Sequence, residues 1–206
     1  MDMKKGFTLV EMLVVIGIIA ILSGASVAGF SKMRASAERA KAQELCSQVK
    51  TALESIWADD GVWPKTIRDK SSAADSILDE EVAYVLAKRG KMSLTYDSQS
   101  TSRKTTGLDR FGILSPWGAD AVRRKGGDVS LSTRVGKKTL KDHLLRFKVD
   151  LDGDGIVNGA SVGGESIDIR ATVAVWCAGK DGEMKPYRKG LKSDDVYSWL
   201  PGQEVK

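Results

Sequence analysis

The sequence predicts an α+β protein in which a long N-terminal α-helix carries a small antiparallel β-sheet head. Three observations predict it. Residues 12–30, MLVVIGIIAILSGASVAGF, form a 19-residue run without a charge. Helical periodicity then continues through more polar sequence to near Trp57, and after Gly90 short apolar runs alternate with turn residues. With 206 residues, 42% of them hydrophobic and 29% charged, the chain has the size of one domain with an appendage and the composition of a protein that packs a core.

The helix is expected to begin near Phe7. An uncharged run of this length can span a bilayer, and Lys4 and Lys5 in front of it place the N-terminus in the cytoplasm and the rest of the chain outside. Glu11 stands close to the start of the run, where a carboxylate without a partner is costly, and no partner lies nearby in the sequence. Beyond Phe30, Leu45, Val49, Ala52, Leu53 and Ile56 fall on one helical face, suited to pack against a head. About 50 residues at 1.5 Å each reach roughly 75 Å, far more than a membrane needs. Asp59-Asp60-Gly61 stops the helix, and Pro64 prevents its continuation.

A shorter helix is predicted from about Ser76 to Lys88, capped by Asp75 or Ser76, with Asp79, Glu80 and Glu81 in its first turn and Gly90 beyond. The strand candidates are 92–96, 128–135, 144–149 and 167–176, the last alternating Ile167, Ile169, Ala171, Val173 and Val175. The organisation expected is therefore residues 1–6 as a leader, 7–58 as a transmembrane and stalk helix, and 59–206 as a globular head.

Lys4-Lys5-Gly6-Phe7-Thr8-Leu9-Val10-Glu11-Met12-Leu13 resembles the N-terminal processing motif of type IV pilins and type II secretion pseudopilins. The resemblance implies a pilin-like fold, cleavage by a prepilin peptidase after Gly6, and N-methylation of Phe7. Cleavage creates an α-amine on Phe7, and by resemblance Glu11 becomes the assembly residue that pairs with this amine on a neighbouring subunit. The rival reading is a plain secretory signal, with Ser26-Val27-Ala28 cut before Gly29. Two further stretches resemble the major pseudopilins: the turn from Ile56 to Pro64, and Leu114-Ser115-Pro116-Trp117-Gly118, with Ser115 and Ala119 at positions where that family carries Asp and Asn.

Two acidic loops are candidate cation sites. Asp150, Asp152 and Asp154 alternate before Gly155, the spacing that wraps a loop around a hard cation such as calcium. The alternative is a solvated turn, and position twelve of the loop is Ser161 rather than glutamate. Glu165 or Asp168 are candidates to complete the shell. The stretches 175–182 and 193–199 resemble the C-terminal calcium loop of major pseudopilins, which implies Asp194 and Asp195 as ligands, with Asp181 weaker; the basic residues between them argue for a purely structural loop.

Cys46 and Cys177 are too few for a cysteine scaffold, and with His143 as the single histidine the chain is poorly supplied for imidazole metal chemistry or a Ser/His triad. The two cysteines are either bonded, stapling helix to sheet, or a pair of buried thiols. His143 is expected on the surface or at an interface. The net charge of +5 is spread along the chain; Arg123, Arg124, Lys125, Arg134, Lys137, Lys138 and Lys141 lack interleaved aromatics and read as a solvated strand face, so nucleic acid is not an expected partner.

The function expected is structural and not enzymatic: a subunit of an inner-membrane-anchored filament of type II secretion, anchored by one span with its head in the periplasm. The resemblance implies as partners copies of itself, other pilins or pseudopilins, prepilin peptidase and an inner-membrane assembly platform, with calcium as cofactor. The alternatives are a type IV pilus subunit for adhesion, motility or DNA uptake, and a membrane-tethered enzyme or ligand-binding head using the acidic loop.

Overall fold

A computed structural model describes residues 8–73, 76–89, 91–92, 111–125, 129–185, 193–199 and 203–205. The chain divides into two compact units, Met1–Glu38 and Arg39–Lys206. Helix α1 is Leu9–Asp60. In the first unit its described large apolar side chains are exposed, among them Leu9, Leu13, Ile16, Ile21, Phe30 and Met33. Among the described residues no helix is long and apolar enough to cross a membrane. The side chains of 24–29, the second half of the uncharged run, are not among those described, so the expected span lies partly outside them.

In the second unit the predicted apolar face of α1 is the face that packs. Ala42, Cys46, Val49, Leu53 and Ile56 are fully buried and join Leu78, Val82, Leu86, Phe147, Val173 and Val175 in one core. At its end Gly61 turns with φ 65° and donates to the Trp57 carbonyl at 2.8 Å, while Asp59 and Asp60 pair with Lys91 and Arg89. Pro64 then caps a further helix, α2 (Lys65–Ser72), which the sequence does not predict. As the cap residue Pro64 has an extended ψ of 145°, and its carbonyl accepts from the Arg68 N–H at 3.0 Å.

Helix α3 is Glu80–Lys88, shorter than the predicted 76–88, and its cap is Asp79, whose side chain accepts from the Val82 N–H. The reason is pairing elsewhere. Leu78 N–H donates to the Leu145 carbonyl and Phe147 N–H to the Ser76 carbonyl, both at 2.8 Å, so residues 76–78 run extended beside a strand. Helix α4, Pro116–Lys125, begins within the stretch Leu114-Ser115-Pro116-Trp117-Gly118 that resembles the major pseudopilins. Arg123, Arg124 and Lys125 end this helix instead of lining a strand; Arg124 pairs with Asp120, and Lys125 donates to the Arg134 carbonyl at 2.7 Å.

A small hairpin, β1 (Arg134–Val135) and β2 (Lys138–Thr139), leads through a 3-10 turn at Leu140–His143 into two three-stranded antiparallel sheets. The first has the order β3-β6-β7, from Arg146–Val149, Val173–Cys177 and Val196–Tyr197. The second has the order β4-β5-β8, from Ile156–Val162, Glu165–Arg170 and Glu204–Val205. The expected strand 167–176 is thus two strands in different sheets, interrupted where the Thr172 carbonyl accepts from Asp150 N–H at 2.9 Å. Strand β6 is buried on both faces: Val173, Val175 and Cys177 face the α1 core, while Ala174 and Trp176 pack with Val157, Ala160, Val162, Ile169 and Trp199. Of the other strand candidates, 128–135 is a strand at Arg134–Val135 alone among its described residues (129–135), 144–149 begins at Arg146, and position 128 and the part of 92–96 beyond Met92 lie outside the described residues.

Candidate functional site

Gly6 and Phe7 lie outside the described residues. Glu11 stands in the first turn of α1 and its Oε2 accepts from both the Thr8 N–H and the Thr8 hydroxyl, each at 2.8 Å, while the Thr8 hydroxyl accepts from Glu11 N–H at 3.3 Å. This reciprocal pair is a capping box, readable in the sequence as Thr-x-x-Glu but not singled out there. In the single chain, therefore, the Glu11 carboxylate satisfies the start of its own helix. Its lone pairs exceed the two bonds it accepts, so a further donor can be added without breaking the cap.

The loop between β3 and β4 brings Asp150, Asp152 and Asp154 together, with carboxylate oxygens within 4.8 Å of one another. Asp150 is its centre: 4% exposed, it accepts from Gly153 N–H at 2.7 Å and Gly155 N–H at 2.8 Å. Both glycines have φ near +80°, which a side-chain-bearing residue adopts only under strain. Burial works to raise the Asp150 pKa, but donation from Gly155 and Gly153 outweighs it and holds the carboxyl below its ordinary range. Asp152 shifts the other way, raised by its hydrogen bond to Asp150 and by the neighbouring negative charges. A loop that gathers like charges until one favours its proton presents hard oxygen donors in the chemistry a divalent cation requires. The loop is tied to the helices behind it, because Trp63 Nε1 donates to the Asp150 carbonyl at 2.5 Å and Val149 N–H to the Ser71 hydroxyl at 3.0 Å. Neither Glu165 nor Asp168 joins the group; Asp168 accepts from Gly159 N–H at 2.7 Å.

The second loop gathers Asp181, Asp194 and Asp195 within the same distance of one another, so the weaker Asp181 and the paired aspartates do converge. Its chemistry differs. Asp195 is 2% exposed and accepts from Gly179 N–H and Lys185 N–H at 3.0 Å each, and from the Ser193 hydroxyl. Asp194 accepts from Lys180 N–H at 2.7 Å, and Lys185 Nζ lies 3.3 Å from Asp181. Burial would raise the Asp181 pKa, yet Glu183 N–H and Lys185 hold it low. A side chain at Gly179 would overlap the Asp194 carboxyl. Here the protein's own donors and a lysine already balance the carboxylates, so the residues fit a cation less well than the Asp150 loop does.

His143 is fully buried in the head, contrary to the surface or interface position expected of it, and its ring nitrogens find no hydrogen bond among the described residues. It packs where Gly118 of α4 and Gly182 of the C-terminal loop both approach it; a Cβ at Gly118 would stand 2.8 Å from the His143 Cβ.

The prokaryotic N-terminal methylation motif matches residues 1–27. The chain is 29% identical over 131 residues to the type IV major pilin protein PilE of Neisseria gonorrhoeae, covering 62% of this chain and 72% of that protein. A fimbrial protein of Neisseria meningitidis is 25% identical over 161 residues, 78% of this chain and 89% of the relative. The fimbrial protein EcpC of Eikenella corrodens is 36% identical over 63 residues, 31% of this chain and 41% of the relative. No solved structure matches the chain.

Proposed function

We propose that this chain, a type IV pilin-like structural subunit, serves as a major pseudopilin of type II secretion, anchored in the inner membrane until it enters a filament. The observation that carries this finer reading is the convergence of Asp181 with the paired Asp194 and Asp195 in the C-terminal loop. Prepilin peptidase cleaves after Gly6 and methylates Phe7, leaving the head in the periplasm. Glu11 then accepts the Phe7 amine of a neighbouring subunit while remaining bonded to Thr8, so the cost of a carboxylate in an apolar bundle is offset by a charge-assisted bond and by its own helix cap. Calcium is held by Asp150, Asp152 and Asp154, with Asp194, Asp195 and Asp181 as a second site, and supplies the positive charge that lets neighbouring carboxylates stay ionised together.

A second reading, a type IV pilus subunit, is favoured by the relatives, whose names are those of type IV pilins and fimbrial proteins. Two measurements decide between these and the simpler alternative. The intact mass of the protein from cells holding its own prepilin peptidase is expected to correspond to a chain beginning at methylated Phe7; a chain beginning at Gly29 overturns the filament reading. Deletion in the source organism is expected to abolish export of secreted proteins with surface fibres unchanged. Loss of surface fibres or motility with export intact selects the pilus reading.

A further inference from the structure

We propose that Cys46 and Cys177 form an intramolecular disulfide in the mature protein, a covalent staple between α1 and the central strand of the head. They are the chain's two cysteines, 131 positions apart, and the fold brings their sulfurs to 4.0 Å inside the core. Both are fully buried. Cys46 is surrounded by the apolar face of α1, and Cys177 ends β6 on the side that faces that helix.

The geometry selects this pair for several reasons. As thiols the two satisfy only each other, through a weak sulfur-to-sulfur hydrogen bond, in a core otherwise built of aliphatic and aromatic side chains. The Cys46 contact and then burial push the Cys177 thiol up. With both sulfurs shut inside the core, an oxidant cannot reach them in the folded chain, and oxidation belongs to folding, before the helix closes over β6. Once formed, the bond is sealed away from reductants. It also closes a long loop, the case in which a crosslink most restricts the unfolded chain. Cys46 lies on the C-terminal side of the apolar run, which places it with the head in an oxidising compartment where such bonds persist.

The oxidant is a protein disulfide of thiol-exchange type. The thiolate of one cysteine attacks a sulfur of that disulfide and forms a mixed disulfide, displacing the oxidant's other sulfur as a thiolate. The second cysteine, as thiolate, then attacks the mixed disulfide. The Cys46–Cys177 bond forms, the oxidant leaves as its reduced dithiol, and the two thiol protons of this chain end on the oxidant's sulfurs.

The test uses the full-length protein purified from membranes of its source cells, trapped in acid, unfolded in denaturant and treated with a thiol alkylator with or without prior reduction. No adduct before reduction and two adducts after it, with the 46-to-177 crosslinked peptide seen on digestion without reductant, is the result expected. Two adducts before reduction overturn the proposal, and so does a crosslink joining two chains. A second measurement removes the risk that a substituted core fails to fold. Wild-type protein unfolded, reduced and refolded in reductant melts about 10 °C below its untreated form, whereas the same treatment leaves a C46A/C177A protein unchanged; an unchanged wild-type melting temperature also overturns it. The bond and the filament reading fail separately, since a chain that never assembles can still be stapled.

Discussion

At the scale of single residues the candidate cation loop makes opposite predictions for two neighbouring aspartates. Asp150 holds the turn through Gly153 and Gly155, so Asp150→Ala leaves two N–H donors without their acceptor and is expected to cost about 1–3 kcal/mol even in chelator. Asp152 has a raised pKa. Its folded state binds the proton more tightly than its unfolded state, so stability declines as pH rises from the ordinary value of 3.8 through the raised one. Asp152→Asn is then expected to be neutral or stabilising in chelator and to remove the gain in melting temperature that added calcium gives the wild type. Thermal unfolding with calcium and with chelator checks both; an equal calcium gain in the wild type and in both variants sinks the site. His143 adds a pH dependence of its own. Burial lowers its pKa from the ordinary 6.5, opposed by the charges of Asp142 and Asp181. The unfolded chain therefore takes up the proton first, and the stability His143 contributes is complete above about 6.5 and lost as pH falls through the lower folded value. Replacing it with the uncharged His143→Gln should flatten the stability curve in that window, as read by urea unfolding at a series of pH values.

Between elements, what the sequence disclosed depended on how much of each element's signal was local. The C-terminal half of α1 was legible because Val49, Leu53 and Ile56 repeat at helical spacing and the same face is buried. Leu53→Ala, in the middle of that face, is expected to cost about 2–5 kcal/mol, measured by denaturant unfolding; a cost below 1 kcal/mol would mean the face does not pack as described. Helices α2 and α4 were not legible from periodicity, since Ile67 is the one buried large apolar residue of α2 and Trp117 that of α4. The local chemistry of α4 was present in another form: Ser115 Oγ accepts from Gly118 N–H at 3.4 Å with Pro116 at the first helical position, a serine cap followed by proline. The segment 76–78 and the break at 171–172 were hidden for a different reason. Their backbone groups are taken by partners 71 and 22 positions distant, Phe147 N–H at Ser76 and Asp150 N–H at Thr172, and no local pattern encodes a partner that remote. The two acidic loops divide the same way: Asp150, Asp152 and Asp154 were readable as a run, whereas the balance of Asp181 by Lys185 and of Asp195 by Lys185 N–H emerges only after folding.

Across the whole molecule, the apolar surface is segregated by position in the chain. The large exposed hydrophobics are concentrated in the first unit, Leu9 to Met33, while the buried hydrophobic residues described run from Ala42 to Trp199, all within Arg39–Lys206. The first 38 residues therefore contribute no described side chain to the core, and removing them takes away surface that would otherwise seek a bilayer or other subunits. A chain beginning at Arg39 is expected to be monomeric and to unfold in one cooperative transition, with a melting temperature within a few degrees of the full-length protein in detergent. A chain beginning at Glu54 loses Ala42, Cys46, Val49 and Leu53 together, a deletion of several fully buried side chains whose summed cost, at about 2–5 kcal/mol for each large one, exceeds the stability of an ordinary domain. It is expected to lack a cooperative transition. Circular dichroism on heating, with sedimentation to fix the mass, distinguishes these outcomes. If the chain beginning at Glu54 melts like the one beginning at Arg39, the helix is a tether and not a wall of the head. If it does not, the segment 39–53 is a wall of the head, and a substitution on its buried face, at Ala42, Cys46, Val49 or Leu53, destabilises the head itself.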